Sequence, residues 1–279
     1  MREYGRGIAG GLMVSLPLLY TMEVWWAGFL LHPWRILIYG GATFLLLLLY
    51  NRFAGLRRDA SLAEVVIDSV EEMGIGILLS AAVLWLAGRI SLEMDLLEIV
   101  GKISVEAMTV AIGVSVGTAQ LGTQDSDESG IDSDTSENDT AYLPQASIAL
   151  CGAVLFAANV APTDEITVIA AESTPWKLLL ISILSMLLGG LILQFAGFRG
   201  SDRFVARGSL MLVLRGVFTT YASGLAASCA LLWFFGKLDG QPPAQCLAMT
   251  IVLGFPAVLG SSAGRLLLQS GAPSPSKKP

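Results

Sequence analysis

Charge is what this chain has least of. Only 14% of its 279 residues are Asp, Glu, Lys or Arg, against about 25% in a soluble domain. Seven of the 23 acids crowd between Asp125 and Asp139, so the remainder is poorer still. Basic residues are not in excess: 17 Lys and Arg leave a net charge of −6. That excludes the footprint of a nucleic-acid binder. Cysteine is scarce too. Cys151, Cys229 and Cys246 all lie inside apolar stretches without CxxC spacing, which argues against a disulfide framework or a thiol metal cluster. The single histidine, His32, precedes Pro33 and reads as a turn residue. GxSxG, Walker, HExxH and Gly-rich dinucleotide motifs are absent, as is any large polar domain. No enzyme and no cofactor is expected. A primary pump, a hydrolase or a sensor kinase has nothing here to stand on.

What fills the chain is apolar. Hydrophobic residues make up 54%, and the mean hydropathy is +0.66. A helix needs about 20 such residues to cross the hydrocarbon core. Eight stretches qualify: Gly7–Leu31, Trp34–Phe53, Leu62–Gly88, Leu96–Leu121, Leu143–Ala170, Pro175–Phe198, Ser209–Gly236 and Ala244–Gln269. The expected fold is all-α, a polytopic membrane bundle of about eight helices. The first stretch is too long for a signal-peptide core and lacks a cleavage site, so it is expected to remain as a helix. Ser61 with Glu64 forms a capping box at the start of the third.

Basic residues set the orientation. With the N-terminus inside, ten Lys and Arg fall on inner ends and loops, against Arg35, Arg89, Lys177 and Lys237 outside. Both termini are expected in the cytoplasm of a bacterium, with the chain in its inner membrane. All six tryptophans fall in the outer half of this topology. The bilayer is the expected partner; a homo-oligomer is left open. Gly122–Thr140 has seven acids and no base, which reads as a disordered linker.

The chain looks duplicated. At a shift of 142, His32-Pro33-Trp34-Arg35 falls on Thr174-Pro175-Trp176-Lys177, Gly10 on Gly152, Thr21 on Thr163 and Glu23 on Glu165. At 148, Trp85-Leu-Ala-Gly88-Arg89 falls on Trp233-Phe-Phe-Gly236-Lys237, and Gly76 on Gly224. At 147, Gly113, Ser115 and Gly117 fall on Gly260, Ser262 and Gly264. The expectation is two parallel pseudo-symmetric four-helix repeats, residues 1–121 and 143–271, joined by a linker over 122–142 and followed by a tail over 272–279. An even number of helices per half makes the repeats parallel.

Ionisable groups inside hydrocarbon are costly, and they persist where they pair, titrate or line a cavity. Glu23 and Glu165 sit in equivalent Thr-x-Glu triplets with Thr21 and Thr163. Near the second, Asn159-Val-Ala-Pro162-Thr-Asp164-Glu165 contains a proline that should break the helix near Ala161. Thr21, Glu23, Asn159, Thr163, Asp164 and Glu165 are therefore expected to form a cation or proton site of hard oxygen ligands. Asp68, Glu71 and Glu72 share one face of the third helix. Arg215, on the equivalent seventh helix, is their expected counter-charge, and the four read as an inner gate or relay. Glu98, Lys102 and Glu106 form a ladder read as a solvated helix extension. Gly10-Gly11, Gly113 with Gly117 and Gly260 with Gly264 match small-xxx-small packing.

Through Arg6-Gly-Ile-Ala-Gly-Gly11, Leu16-Pro-Leu-Leu-Tyr-Thr-Met-Glu-Val-Trp-Trp26 and Asn159-Val-Ala-Pro-Thr-Asp-Glu-Ile166, the chain resembles a bacterial family of integral membrane proteins with no assigned function. The resemblance runs over most of the chain outside the acidic stretch and implies the membrane class. The Asn-x-x-Pro-x-Asp-Glu run also resembles signature repeats of cation/calcium exchangers, which implies cations and transfers no residue roles. The sequence thus points to a small transporter or channel for cations or protons. A non-transporting scaffold or complex subunit is the alternative, and an intramembrane enzyme on lipid-linked substrates ranks below both.

Overall fold

The computed structural model describes residues 2–54, 61–120, 142–195 and 210–269. The acidic linker and the C-terminal tail lie outside them. Every regular element among the described residues is a helix. In order they are α1 (Arg2–Leu19), α2 (Met22–Leu30), α3 (Pro33–Ala54), α4 (Leu62–Leu86), α5 (Leu96–Gln120), α6 (Tyr142–Ala158), α7 (Glu165–Glu172), α8 (Pro175–Phe195), α9 (Leu210–Phe234) and α10 (Pro243–Gln269).

Among the described residues, six helices are long and apolar enough to span a membrane, or seven if α1 and α2 count as one broken span. α6 is a shorter apolar helix. Many large apolar side chains point outward, Leu37, Leu78 and Leu187 among them. In a membrane-embedded bundle such faces meet lipid. α5 and α10 are the central helices. α5 packs on α1, α2, α3 and α4, while α10 packs on α6, α7, α8 and α9. A core of Leu18, Val24, Tyr39, Met108, Ala157 and Leu232 crosses from one group to the other.

The first apolar stretch is not the continuous helix its composition suggests. It bends by 84° between α1 and α2. Three causes coincide. Pro17 has no N–H to give to the preceding turn. The Leu18 N–H leaves the α1 ladder for Asn159 Oδ1, at 3.1 Å, while Asn159 Nδ2 reaches the Val14 carbonyl at 3.4 Å. A side chain inserted into the i to i−4 ladder is a known origin of a kink. Finally, the Thr21 hydroxyl turns back on the Pro17 carbonyl at 2.7 Å. The freed Leu19 carbonyl is taken by the Trp25 indole at 3.0 Å. The stretch Leu143–Ala170 also breaks, between Ala158 and Glu165 and around Pro162, as the proline predicts.

The ends of α4 and α9 show why their sequences match. Each closes on a glycine in the left-handed region, Gly88 at φ 67° and Gly236 at φ 71°. Arg89 N–H returns to Leu84 O and Gly88 N–H to Trp85 O; Lys237 returns to Leu232 and Gly236 to Trp233 in the same way. This is the Schellman cap, and it favours glycine at that one position. The cation that follows each cap folds back over its own short helix or break. Arg89 lies over the Trp25 ring at 4.7 Å, and Lys237 pairs with Asp164 at 2.6 Å.

The ladder on α5 is corrected. Lys102 pairs with Glu98 at 2.6 Å, but Lys102 is 7% exposed and Glu106 fully buried. Solvation fails there because α2 lies against α5. Gly28 and Gly101 meet backbone to backbone, and the contact covers the start of the span.

Candidate functional site

Among the described residues, polar side chains gather at both ends of the bundle. One such region lies at the end where α1 and α4 begin and α3 and α5 finish. The capping box opens α4 here: Glu64 N–H donates to Ser61 Oγ, and Ser61 N–H to Glu64 Oε2. Val65, Ser69, Glu72, Gly76 and Ser80 then recur every three or four residues as the buried stripe of α4. Glu72 is on that stripe; Asp68 is half-buried beside it and Glu71 is exposed. Asn51, in the last turn of α3, donates to Glu72 Oε2 at 2.7 Å and to Ser69 Oγ at 3.1 Å. Its own carbonyl accepts from Ser115 Oγ of α5 at 3.0 Å. Both amide hydrogens and the oxygen are therefore in use, which fixes the orientation of the amide. A cleft of about 220 Å³ opens beside this network. Tyr4, Asp68, Glu71, Glu72, Ser115 and Thr118 are among its walls.

Arg215 is not among the described residues lining this cleft. It is exposed on α9, where its carbonyl accepts from the Thr219 hydroxyl. The reason is topological. α4 packs mainly on α5, α3 and α1, whereas α9 packs mainly on α10, α6 and α8 and touches α3 lightly.

The second region is the opposite end, around the two helix breaks. Of the six oxygen-bearing residues expected to converge, Asn159 reaches the other break, through Leu18 and Val14. It also donates to Leu155 O of its own helix at 2.6 Å. The hydroxyls of Thr21 and Thr163 are spent locally, on Pro17 O and on Val160 O. Asp164 turns to Lys237. Glu23 is half-buried at the start of α2, and Glu165 is exposed at the start of α7. Among the described residues neither has a hydrogen-bond or ion-pair partner. Nor do three His, Cys, Asp or Glu side chains gather there as a metal-ligand group would.

At the same end, Arg35 of α3 crosses to the loop after α9. Its guanidinium grips Asp239 through two nitrogens at 2.8 Å and donates to Trp233 O. It lies against both the Trp34 and Trp233 rings, at 5.6 and 5.4 Å from their centres, and the two rings meet each other at 5.5 Å. The hydrogen bond from Arg35, reinforced by its charge and opposed by burial, holds the Asp239 carboxyl below its ordinary range. A carboxyl held low in the folded state adds stability above its unfolded value of about 4 and loses it as pH falls through the folded value. Thermal unfolding in detergent should therefore show wild type losing stability more steeply in acid than Asp239→Asn. Parallel curves would remove any contribution from this pair.

Sequence reading missed Asn51, Ser69 and Ser115, which are polar residues embedded in apolar runs. Their shared signal was a position on the buried stripe of a helix, which shows only once the packing partner is known. The comparisons follow the same outline. No curated protein and no solved structure matches the chain. The family described as "Putative integral membrane protein (DUF2391)" matches residues 3–268. The apolar helices and this match over nearly the whole length lead to one conclusion: the chain belongs to that family of integral membrane proteins.

Proposed function

We propose that the protein moves protons or small cations across the bilayer, as a transporter or channel. One observation carries the reading. Glu72 is buried, is held by Asn51, and forms the floor of an acidic cleft at one end of the bundle. Asp68 and Glu71 at the mouth raise the local concentration of cations. Glu72 then offers an oriented carboxylate where a path would leave water. The broken helices at the other end, with Glu23, Asp164 and Glu165, supply the second mouth. Such breaks line polar paths in many transporters. Arg215 sits at the corresponding depth of the second half, where a gate would act.

The frame we propose is two parallel repeats of four crossing helices and one short helix each, set in a bacterial inner membrane with both termini on its cytoplasmic side. Helix lengths in order support it: 18, 9, 22, 25 and 25 residues, then 17, 8, 21, 25 and 27. So do equivalent close approaches. Gly113 lies against Gly10 and Gly11 as Gly260 lies against Gly152, and Gly76 against Ala111 as Gly224 against Val258.

The test is flux from purified protein in liposomes, read with a pH-sensitive dye under imposed sodium, potassium, calcium and magnesium gradients. Glu72→Gln should lose most of the flux while the protein still folds, because glutamine keeps the shape and removes the charge. Wild-type flux in Glu72→Gln would end the assignment of this cleft. Silence across all ions from folded wild type would favour the scaffold reading. The pairs Arg35–Asp239 and Asp164–Lys237 already suit that reading, because they tie helices together.

A further inference from the structure

α5 carries another carboxylate, which the cleft does not use. Glu106 is fully buried near the middle of the candidate span Leu96–Ala119, and neither carboxylate oxygen has a hydrogen-bond partner. Its surroundings follow from helix register. α1 runs antiparallel to α5, with Gly7 against Val114 and Thr118 and Gly11 against Val110 and Val114. One turn further, Ser15 comes opposite the turn that holds Glu106. α4 approaches in the same way, with Gly76 against Ala107 and Ala111. One turn further, Ser80 comes opposite that same turn. Ser15 and Ser80 are both fully buried, and their hydroxyl oxygens also lack partners.

No cation among the described residues answers Glu106. Gly7–Leu19 of α1 and Met73–Leu86 of α4 contain no ionisable side chain. From α3 the ionisable group facing this turn is Tyr39, whose hydroxyl is engaged with Thr109 Oγ1 at 3.1 Å. α6 brings Cys151 against Ala111 and Ile112. α2 offers Glu23, itself acidic. On α5, Lys102 is directed away, to Glu98 and to the Arg89 carbonyl.

We infer that Glu106, with the hydroxyls of Ser15 and Ser80, is a dehydrated intramembrane site for one positive charge, a proton or a sodium ion. An ionised carboxylate without a counter-charge is too costly in hydrocarbon to persist. Four hard oxygens from three helices, none used elsewhere, supply the ligand chemistry. Glu106 lies nine residues along α5 from Ser115, about 13 Å from the network at the cleft floor. That makes it the next station inward. The inference rests on the transport reading for its role, though not for its occupancy.

The test is infrared difference spectroscopy of wild type against Glu106→Gln in lipid nanodiscs. In sodium-free buffer at neutral pH, the variant should lose one carboxylic-acid C=O band. If that band persists when sodium is raised, the proton is the ligand. If it gives way to carboxylate bands, sodium is. Either result supports the site, and Ser80→Ala should shift the band without abolishing it. Carboxylate bands from Glu106 in sodium-free buffer, unmoved by added sodium, would overturn it. Should Glu106→Gln fail to fold, Glu106→Asp yields the same difference through displacement of the band. Flux is a separate readout. Silent liposomes with an occupied Glu106 would defeat the transport reading alone. Flux with an ionised, sodium-blind Glu106 would defeat this inference alone.

Discussion

Gly10→Ala is expected to cost about 3 kcal/mol of folding free energy, the upper part of the usual range for overpacking. A Cβ at Gly10 falls on the Cα and N of Gly117 and on the Gly113 carbonyl. The approach is reciprocal, since a Cβ at Gly117 falls on Gly10 and on the Arg6 carbonyl. Every obstructing atom is backbone, so no rotamer change relieves the clash and α1 must move off α5. In a membrane little else holds these helices together, because lipid solvates apolar side chains as well as protein does. Packing lost along this seam is not recovered by burial elsewhere. Gly41→Ala is the control. Its Cβ meets nothing within 4 Å, and stability should be unchanged or slightly raised. Unfolding in detergent, by heat or by titrated denaturing surfactant, reads both. Equal stability of Gly10→Ala and wild type would mean the two backbones do not touch.

Asn159→Leu should be comparably damaging, for a polar reason. The amide holds Leu18 N–H, Val14 O and Leu155 O together across the helix break. Leucine fills the same space and leaves these backbone groups without their partner. An unsatisfied buried group costs about 1–3 kcal/mol. Asn159→Asp should be no rescue, since it keeps an acceptor for Leu18 and turns a charge towards two carbonyls. The expected readout is a lower unfolding temperature together with faster proteolysis between Leu19 and Met22. A variant equal to wild type in both would show that Pro17 and Thr21 suffice to make the bend.

Parts of this architecture are legible residue by residue. The Ser61–Glu64 cap, the break at Pro162 and the turn at His32-Pro33 each follow from local stereochemistry, which needs only neighbouring residues. The matched Trp-x-x-Gly-cation ends of α4 and α9 are legible for the same reason: the Schellman cap is closed within six residues. The small-xxx-small spacing of Gly10, Gly113 and Gly117 announces a close helix contact, and the three do meet. The bend at Tyr20–Thr21 is different. Pro17 hints at it, but further hydrogen bonds come from Asn159, 141 positions from Leu18.

Composition and periodicity by themselves determined the membrane class and the all-helical fold. These depend on transfer of side chains from water to hydrocarbon and on local backbone sterics, both additive along a chain. Tertiary structure alone decided the partners. It gave Glu72 to Asn51, Asp164 to Lys237 and Asp239 to Arg35, kept Arg215 out of the cleft, and buried Glu106 in the bundle. A charge in hydrocarbon must be answered, but hydropathy does not say by which helix. That choice is made by which backbones can approach closely, and here it falls to the glycine contacts on α5 and α10.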